Sequence, residues 1–101
     1  MSIKKKYLAS KPECKVTFKL SKDVAGSYNE VSLVGSFNDW DPKATTMKKL
    51  KAGDFTVTIN LEKDKDYEFK YLADSKAWLN DEDADKLVAN EFQGENSVVS
   101  V

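Results

Sequence analysis

The strongest constraint on this chain is the alternation of apolar and polar residues at a period of two. It is clearest over 55–61, where Phe55, Val57, Ile59 and Leu61 are separated by threonines and an asparagine. Successive side chains of an extended strand point to opposite faces, so this pattern predicts a strand with one buried face. Apolar residues at helical spacing are not sustained anywhere in the chain.

The same alternation recurs in four other segments, at 15–20, 31–35, 67–72 and 97–101. Turn-forming residues such as glycine, asparagine, aspartate and proline separate these segments. Such spacing predicts an all-β fold, an antiparallel β-sandwich, with at most one helical turn at 83–89. We expect 13–101 to form a single domain and 1–12 to be either a loose arm or an additional edge strand.

The alternation also predicts which side chains form the core between the two sheets. They are Val16, Phe18, Leu20, Val31, Leu33, Phe55, Val57, Ile59, Phe69 and Tyr71. The lone cysteine, Cys14, continues the inward positions of the first of these strands. We therefore expect a buried thiol that packs as a small apolar group.

Two absences exclude most enzyme classes. The chain has no histidine, and all 16 of its basic residues are lysine, so it has no arginine either. Histidine-based triads and common zinc sites are therefore excluded, as are arginine clamps on phosphate. We expect no cofactor, no metal and no catalytic residues, although pairs of carboxylates suited to glycoside hydrolysis cannot be eliminated by counting.

Charge and hydropathy limit the partners and the compartment. The formal net charge is -1, so no overall positive field favours nucleic acid or an anionic membrane. The apolar run after the basic start is too short for a signal peptide, and no segment is long enough to span a membrane. With one cysteine and no internal disulfide, a cytoplasmic location is expected.

An acidic run at 80–85 superficially resembles a calcium loop. In an EF-hand loop beginning at Asp81, glycine and glutamate would be required where Lys86 and Phe92 stand. The pattern fails at both positions. We therefore interpret the run as an acidic, solvated loop.

The tryptophans are the residues most suggestive of binding. Trp40 lies in the turn-rich 37–42, and Trp78 follows a predicted hairpin connection at 74–77. Either indole alone is explained by capping the sandwich, but two in so small a domain favour a flat aromatic platform. A sugar ring suits such a platform, because its C–H face packs on an indole while its hydroxyls need polar partners. Lys70, Asn96 and Gln93 are candidates for those partners.

Three segments carry a resemblance to a known family. They are VSLVGSFNDWDP at 31–42, YEFKYLAD at 67–74 and GENSVVSV at 94–101. Together they resemble the glycogen-binding modules of carbohydrate-binding family 48, which include the glycogen-binding domain of the AMP-activated kinase β-subunit. Similar early-set domains precede the catalytic domains of glycogen branching enzymes and isoamylases. The similarity covers roughly residues 14–101.

The resemblance implies an immunoglobulin-like sandwich of the early-set type that binds α-1,4-glucan, such as glycogen, without catalysis. Residue by residue, it implies that Trp40 and Trp78 stack on glucose units and that Lys70 and Asn96 bond to hydroxyls. Phe92 falls near a leucine that contacts sugar in the kinase module. The departures are Phe92 itself, Gly94, where a threonine often stands, and a turn before Trp78 that is longer than usual.

A second function remains open at this point. The sandwich could be an interaction module that docks on a glycogen-metabolising enzyme and no longer binds sugar. An enzyme name could be attached to it by similarity, but we expect no catalytic domain within these 101 residues. The two functions differ in one observable: sugar binding requires both indoles exposed on one face, with Lys70 and Asn96 within reach.

Overall fold

The chain folds into two antiparallel sheets packed as a sandwich, which confirms the predicted fold class. The computed structural model describes residues 3–25, 28–81, 84–90 and 94–101. The strands are β1 (Ile3–Tyr7), β2 (Glu13–Leu20), β3 (Val31–Gly35), β4 (Lys48–Lys49), β5 (Phe55–Glu62), β6 (Asp66–Ala73), β7 (Ala77–Leu79), β8 (Lys86–Ala89) and β9 (Glu95–Ser100). A short α-helix, α1 (Lys22–Ala25), and a 3-10 turn (Ser36–Asn38) lie between them.

The four-stranded sheet has the order β1-β2-β5-β4. Its centre is the β2–β5 pair, in which Val16 lies opposite Ile59 and Phe18 lies opposite Val57. Paired residues share a face, so the apolar positions of both strands point into the sandwich. β1 forms one edge of this sheet, with Ile3 opposite Phe18. The domain boundary at residue 13 stays a prediction.

The five-stranded sheet is organised around β6, which is bonded along both of its edges. β3 pairs with β6 from Gly35↔Phe69 to Val31↔Ala73. On the opposite edge, β9 pairs with the first half of β6 and β7 pairs with the second half. β8 then pairs with the outer edge of β9. β7 and β9 therefore follow one another along the same edge of β6, and the candidate site lies at their junction.

The core lies between the sheets, mostly as the alternation predicts. The buried apolar side chains that form this core cluster are Ile3, Cys14, Val16, Phe18, Leu20, Val31, Leu33, Met47, Phe55, Leu61, Phe69, Tyr71, Ala73 and Val99. Phe18 packs edge-on against Phe69 across the two sheets, with ring centroids 5.0 Å apart. Val57 and Ile59 were predicted as core residues, but they are only partly buried and pack against the core cluster. They lie in β5, next to the two-residue edge strand β4.

Several short elements differ from the sequence prediction. The one helical turn allowed for at 83–89 does not form over Lys86–Ala89, which is strand β8. In β8, Leu87 and Val88 pair with residues of β9, and this distant partner decides the conformation. The strands β4 and β7, the helix α1 and the 3-10 turn were not predicted either. Within the described residues, no helix is long and apolar enough to cross a membrane.

Leu33→Ala and Ile59→Ala form a matched test of this core, since each removes three apolar carbons. Leu33 is fully buried, so its truncation should cost roughly 2–5 kcal/mol through lost transfer energy and a residual cavity. Ile59 is partly exposed, and its truncation should cost about half as much. Urea unfolding monitored by tryptophan fluorescence measures both values. Equal losses would show that the assigned burial of β5 is wrong.

Cys14 provides a test of the β2 register. Its side chain is fully buried, as predicted, and lies opposite Leu61. The native protein should therefore react with a thiol reagent only through opening of the fold, and the rate should rise steeply with urea. Cys14→Ala should cost on the order of 1 kcal/mol. Rapid labelling of the native protein without urea would contradict this register.

Candidate functional site

Trp40 is positioned by a tight loop that follows β3. The carboxamide of Asn38 accepts a hydrogen bond from the backbone N–H of Gly35 at 3.0 Å and donates to the carbonyl of Leu33 at 2.9 Å. Asp39 and Trp40 both adopt left-handed conformations, with φ of 56° and 58°. Each costs a non-glycine residue roughly 1–2 kcal/mol. The backbone N–H of Trp40 then donates to the Gly35 carbonyl at 2.9 Å, which closes the loop.

Gly35 is required where this loop leaves the sheet. A Cβ at this position would lie 2.5 Å from the carbonyl oxygen of Glu68 and 2.9 Å from the ring of Phe37. Backbone atoms cannot move aside as a flexible side chain can. The glycine therefore permits the close packing of β3 on β6 from which the Trp40 loop begins.

Trp78 lies on the short strand β7, directly after the hairpin connection from β6. The β6–β7 hairpin turns at Asp74 and Ser75, whose φ angles of 51° and 58° resemble those of a type I′ turn. The Asp74 carboxylate accepts hydrogen bonds from the backbone N–H groups of Glu30 and Asn29, both at 2.9 Å. The bond from Glu30 is the main reason that the pKa of Asp74 lies below its usual value.

Lys70 and Asn96 are placed by strand alternation. Lys70 lies between the buried Phe69 and Tyr71 on β6, so its side chain emerges on the outer face of the five-stranded sheet. Asn96 precedes the buried Ser97, which pairs with Phe69. Both side chains therefore point away from the core on neighbouring strands.

These four residues line one concave surface. It encloses about 900 Å³ and is lined by Trp40, Glu68, Lys70, Trp78, Ala89, Asn90, Gly94 and Asn96. Trp40 is 38% exposed and Trp78 is 51% exposed, so neither indole is buried as a cap on the core. Phe92 and Gln93, which were also candidates, lie outside the described residues.

Glu68 and Asn90 also line this surface, and the sequence reasoning did not identify them. The Asn90 carboxamide donates to Asn96 Oδ1 at 3.1 Å, and Asn96 Nδ2 donates to Glu68 Oε1 at 3.2 Å. The side-chain Oδ1 of Asn90 accepts a hydrogen bond from the backbone N–H of Gly94, and the backbone N–H of Asn90 donates to the Gly94 carbonyl. The spacing of Glu68, two residues before Lys70, was a usable signal for a shared face. No comparable signal existed for Asn90, because β8 itself was not predicted.

A chain of hydrogen bonds connects the core to this surface. The Tyr71 hydroxyl donates to the Asp81 carboxylate at 2.6 Å, and the Asp81 backbone N–H donates to Ser97 Oγ at 2.9 Å. Ser97 Oγ donates in turn to Asn80 Oδ1 at 2.9 Å. The interpretation of 80–85 as a solvated loop is therefore wrong at Asp81, which is buried, with Tyr71 bonded to its carboxylate and Ser97 bonded to its backbone N–H.

The last step of this chain reaches Lys70. The Asn80 amide and the Lys70 ammonium both donate to the carbonyl oxygen of Glu95, each at 3.0 Å. This shared acceptor lies at the junction of β7 and β9. Lys70 is thus held in place by main chain from a neighbouring strand, and it forms no ion pair with any residue that the structure describes.

Metal chemistry has no support in the described part of the chain. No group of three or more histidine, cysteine, aspartate or glutamate side chains there is arranged to hold a metal ion. What the surface offers is two exposed indoles, one ammonium, two carboxamides and a carboxylate. Such a set of groups suits a neutral ligand with apolar faces and many hydroxyls.

Comparison with known proteins agrees with this geometry. No curated protein matches the chain. A family model described as the glycogen recognition site of AMP-activated protein kinase matches residues 15–101, which include every described residue of the candidate surface. That description names a recognition site and not a catalytic domain. The match extends over most of the chain, and we conclude that the chain belongs to this glycogen-recognition family.

Proposed function

We propose that this protein is a non-catalytic module that binds α-1,4-glucan, such as a glycogen chain, by stacking glucose units on Trp40 and Trp78. The observation that carries the proposal is the presence of both exposed indoles on one concave surface with Lys70 and Asn96. Membership in a glycogen-recognition family supports the choice of ligand. Neither tryptophan is needed to complete the core, since each retains more than a third of its surface exposed.

Stacking supplies the apolar part of the binding energy. A glucose ring presents axial C–H groups on its faces, and an indole can cover one face while the equatorial hydroxyls stay at the rim. Two platforms allow two glucose units of one chain to stack at once. The ligand then loses its translational and rotational entropy once but gains two stacking contacts. The left-handed backbone at Trp40 and the strand at Trp78 hold the platforms before the ligand arrives.

Hydrogen bonds then orient the chain on the platforms. The Lys70 ammonium carries three protons, and its one bond within the described residues, to the carbonyl of Glu95, leaves donors for hydroxyls. Asn96 has its amide oxygen fixed by Asn90 and its amide nitrogen directed to Glu68. A pre-oriented carboxamide loses less conformational entropy on binding than a freely rotating one.

The first test of this proposal is truncation of each indole. Trp40→Ala and Trp78→Ala should each weaken maltoheptaose binding by more than about 1 kcal/mol, as expected for aromatic anchors. Titration followed by fluorescence of the remaining tryptophan, and by calorimetry, measures the loss. Tyr7→Ala is the matched control, because Tyr7 is 55% exposed but belongs to the other sheet.

Two results would contradict the proposal. A folded wild-type protein that ignores maltoheptaose at millimolar concentration would favour a module that docks on a glycogen-metabolising enzyme without binding sugar. An equal response to cellohexaose would show that the surface does not select the α-linkage.

The protein should be retained on glycogen more strongly than its affinity for a free oligosaccharide predicts, since a branched polymer offers many copies of the ligand.

The second test concerns Lys70 and salt. The ammonium bonds to neutral hydroxyls in this proposal, so raising the salt from about 0.02 M to 0.5 M should change the maltoheptaose affinity less than about twofold. Lys70→Met should weaken binding by about 0.5–1.5 kcal/mol, the typical net value of a hydrogen bond. A steep loss of affinity with salt would indicate an anionic ligand instead.

A further inference from the structure

We propose that the outer face of the four-stranded sheet is a second binding surface, which docks a carboxylate-rich surface of a partner protein. This basic face consists of the outward-pointing residues Lys4, Lys6, Lys15, Thr17, Lys19, Lys48, Thr56, Thr58 and Asn60. It is built from β1, β2, β5 and β4, whereas the candidate glucan site is built on the other sheet. The two surfaces therefore lie on opposite sides of the sandwich.

Strand register brings these lysines onto a single face. Lys15 lies between the buried Cys14 and Val16, so it points outward, and Lys6 lies directly opposite it on β1. Lys48 lies opposite Thr56 on β5, and Thr56 is itself opposite Lys19 on β2. Alternation thus gathers lysines that are far apart in sequence.

Lys5 shows that the arrangement depends on alternation and not merely on a lysine-rich terminus. It lies between Lys4 and Lys6 but points the other way, toward the second sheet. There its ammonium forms an ion pair with Asp85 at 2.8 Å. Lys5 is neutralised by the fold, whereas its two neighbours are presented on the basic face.

Most of the charge on the basic face is uncompensated. Lys19 lies 3.5 Å from the Asp54 carboxylate, but no other lysine of the face forms an ion pair with a described residue. The acids on this side, Glu13 and Glu62, lie opposite one another at one end, and Glu62 is already paired with Lys65.

The Lys6–Lys15 pair carries a cost that an anion would relieve. Like charges directly opposite on neighbouring strands destabilise a sheet. Lysines on an edge strand do discourage pairing with other sheets, which accounts for β1. That explanation does not extend to Lys15 and Lys19, because β2 is paired on both sides.

The chemistry of the basic face favours protein carboxylates over lipid or nucleic acid. The positions between the lysines hold Thr17, Thr56, Thr58 and Asn60, whose hydroxyl and amide groups can bond to carboxylates. The exposed large apolar side chains among the described residues all lie elsewhere, so the face has nothing to insert into a bilayer. It also lacks the arginines and aromatic rings that nucleic-acid surfaces commonly use. Lysine is depleted in the dry cores of protein interfaces, so these lysines are expected to make solvent-accessible contacts. Such contacts weaken with salt and act mainly by steering the partner into place.

The experiment uses a fluorescent decaglutamate peptide as the probe, with decaglutamine as its neutral counterpart. Lys6→Gln/Lys15→Gln should weaken decaglutamate binding at least about fivefold, whereas the charge-matched control Lys43→Gln/Lys76→Gln should change it less than about twofold. Backbone NMR shifts on adding the peptide should map to β1, β2 and β5. Raising the salt from about 0.02 M to 0.15 M should abolish most of the binding.

Three results would overturn this inference. They are no decaglutamate binding at low salt, equal losses in both double variants, and binding of vesicles containing about 20% phosphatidylserine in preference to the peptide. Maltoheptaose binding should be unchanged in Lys6→Gln/Lys15→Gln. The two functions can therefore fail independently, and a failure of the glucan proposal would not affect this one.

Discussion

The pairing of β6 on both of its edges is the constraint on which the rest of the structure depends. β3 holds one edge, and β9 and β7 share the other. Within this frame, Phe69 and Tyr71 enter the core while Glu68 and Lys70 face outward. A shift of one residue would exchange the two sets, bury the charges and expose the aromatic rings. The stability of the core and the position of the candidate site are therefore set by the same register.

The buried polar chain from Tyr71 shows how the core and the site are joined. Asp81 is only 4% exposed, and its carboxylate accepts a hydrogen bond from the Tyr71 hydroxyl while its backbone N–H donates to Ser97 Oγ. The same chain continues through Asn80 to the carbonyl that also anchors Lys70. Among the described residues, no buried side-chain nitrogen or oxygen lacks a partner. A satisfied network of this kind fixes Asn80 and Asp81 against β6 and β9.

The two outer faces of the sandwich differ in chemistry although the net charge of the chain is -1. The five-stranded sheet presents indoles, amides and a lysine whose ammonium donates to a main-chain carbonyl. The four-stranded sheet presents lysines separated by threonines. A balanced total charge thus conceals an uneven distribution, and the distribution governs which ligands each face can attract.

The sequence alone determined the features that depend on local alternation and on short signatures. The strands around Val16, Leu33 and Phe69, the burial of Cys14, and the family resemblance carried by the segments around Trp40 and Lys70 were all readable from it. Strand alternation is a local property of extended backbone, so it needs no knowledge of the neighbours.

Only the tertiary structure decided the features that depend on pairing between distant segments. It made Lys86–Ala89 a strand, because β9 supplies its hydrogen-bond partners, and so brought Asn90 beside Asn96. It left Ile59 partly exposed in β5, next to the short edge strand β4, although Ile59 has the same alternation as buried Leu61. It also assembled lysines from three strands into one face. The physical reason is common to all of these: cross-strand register joins residues that no local pattern relates.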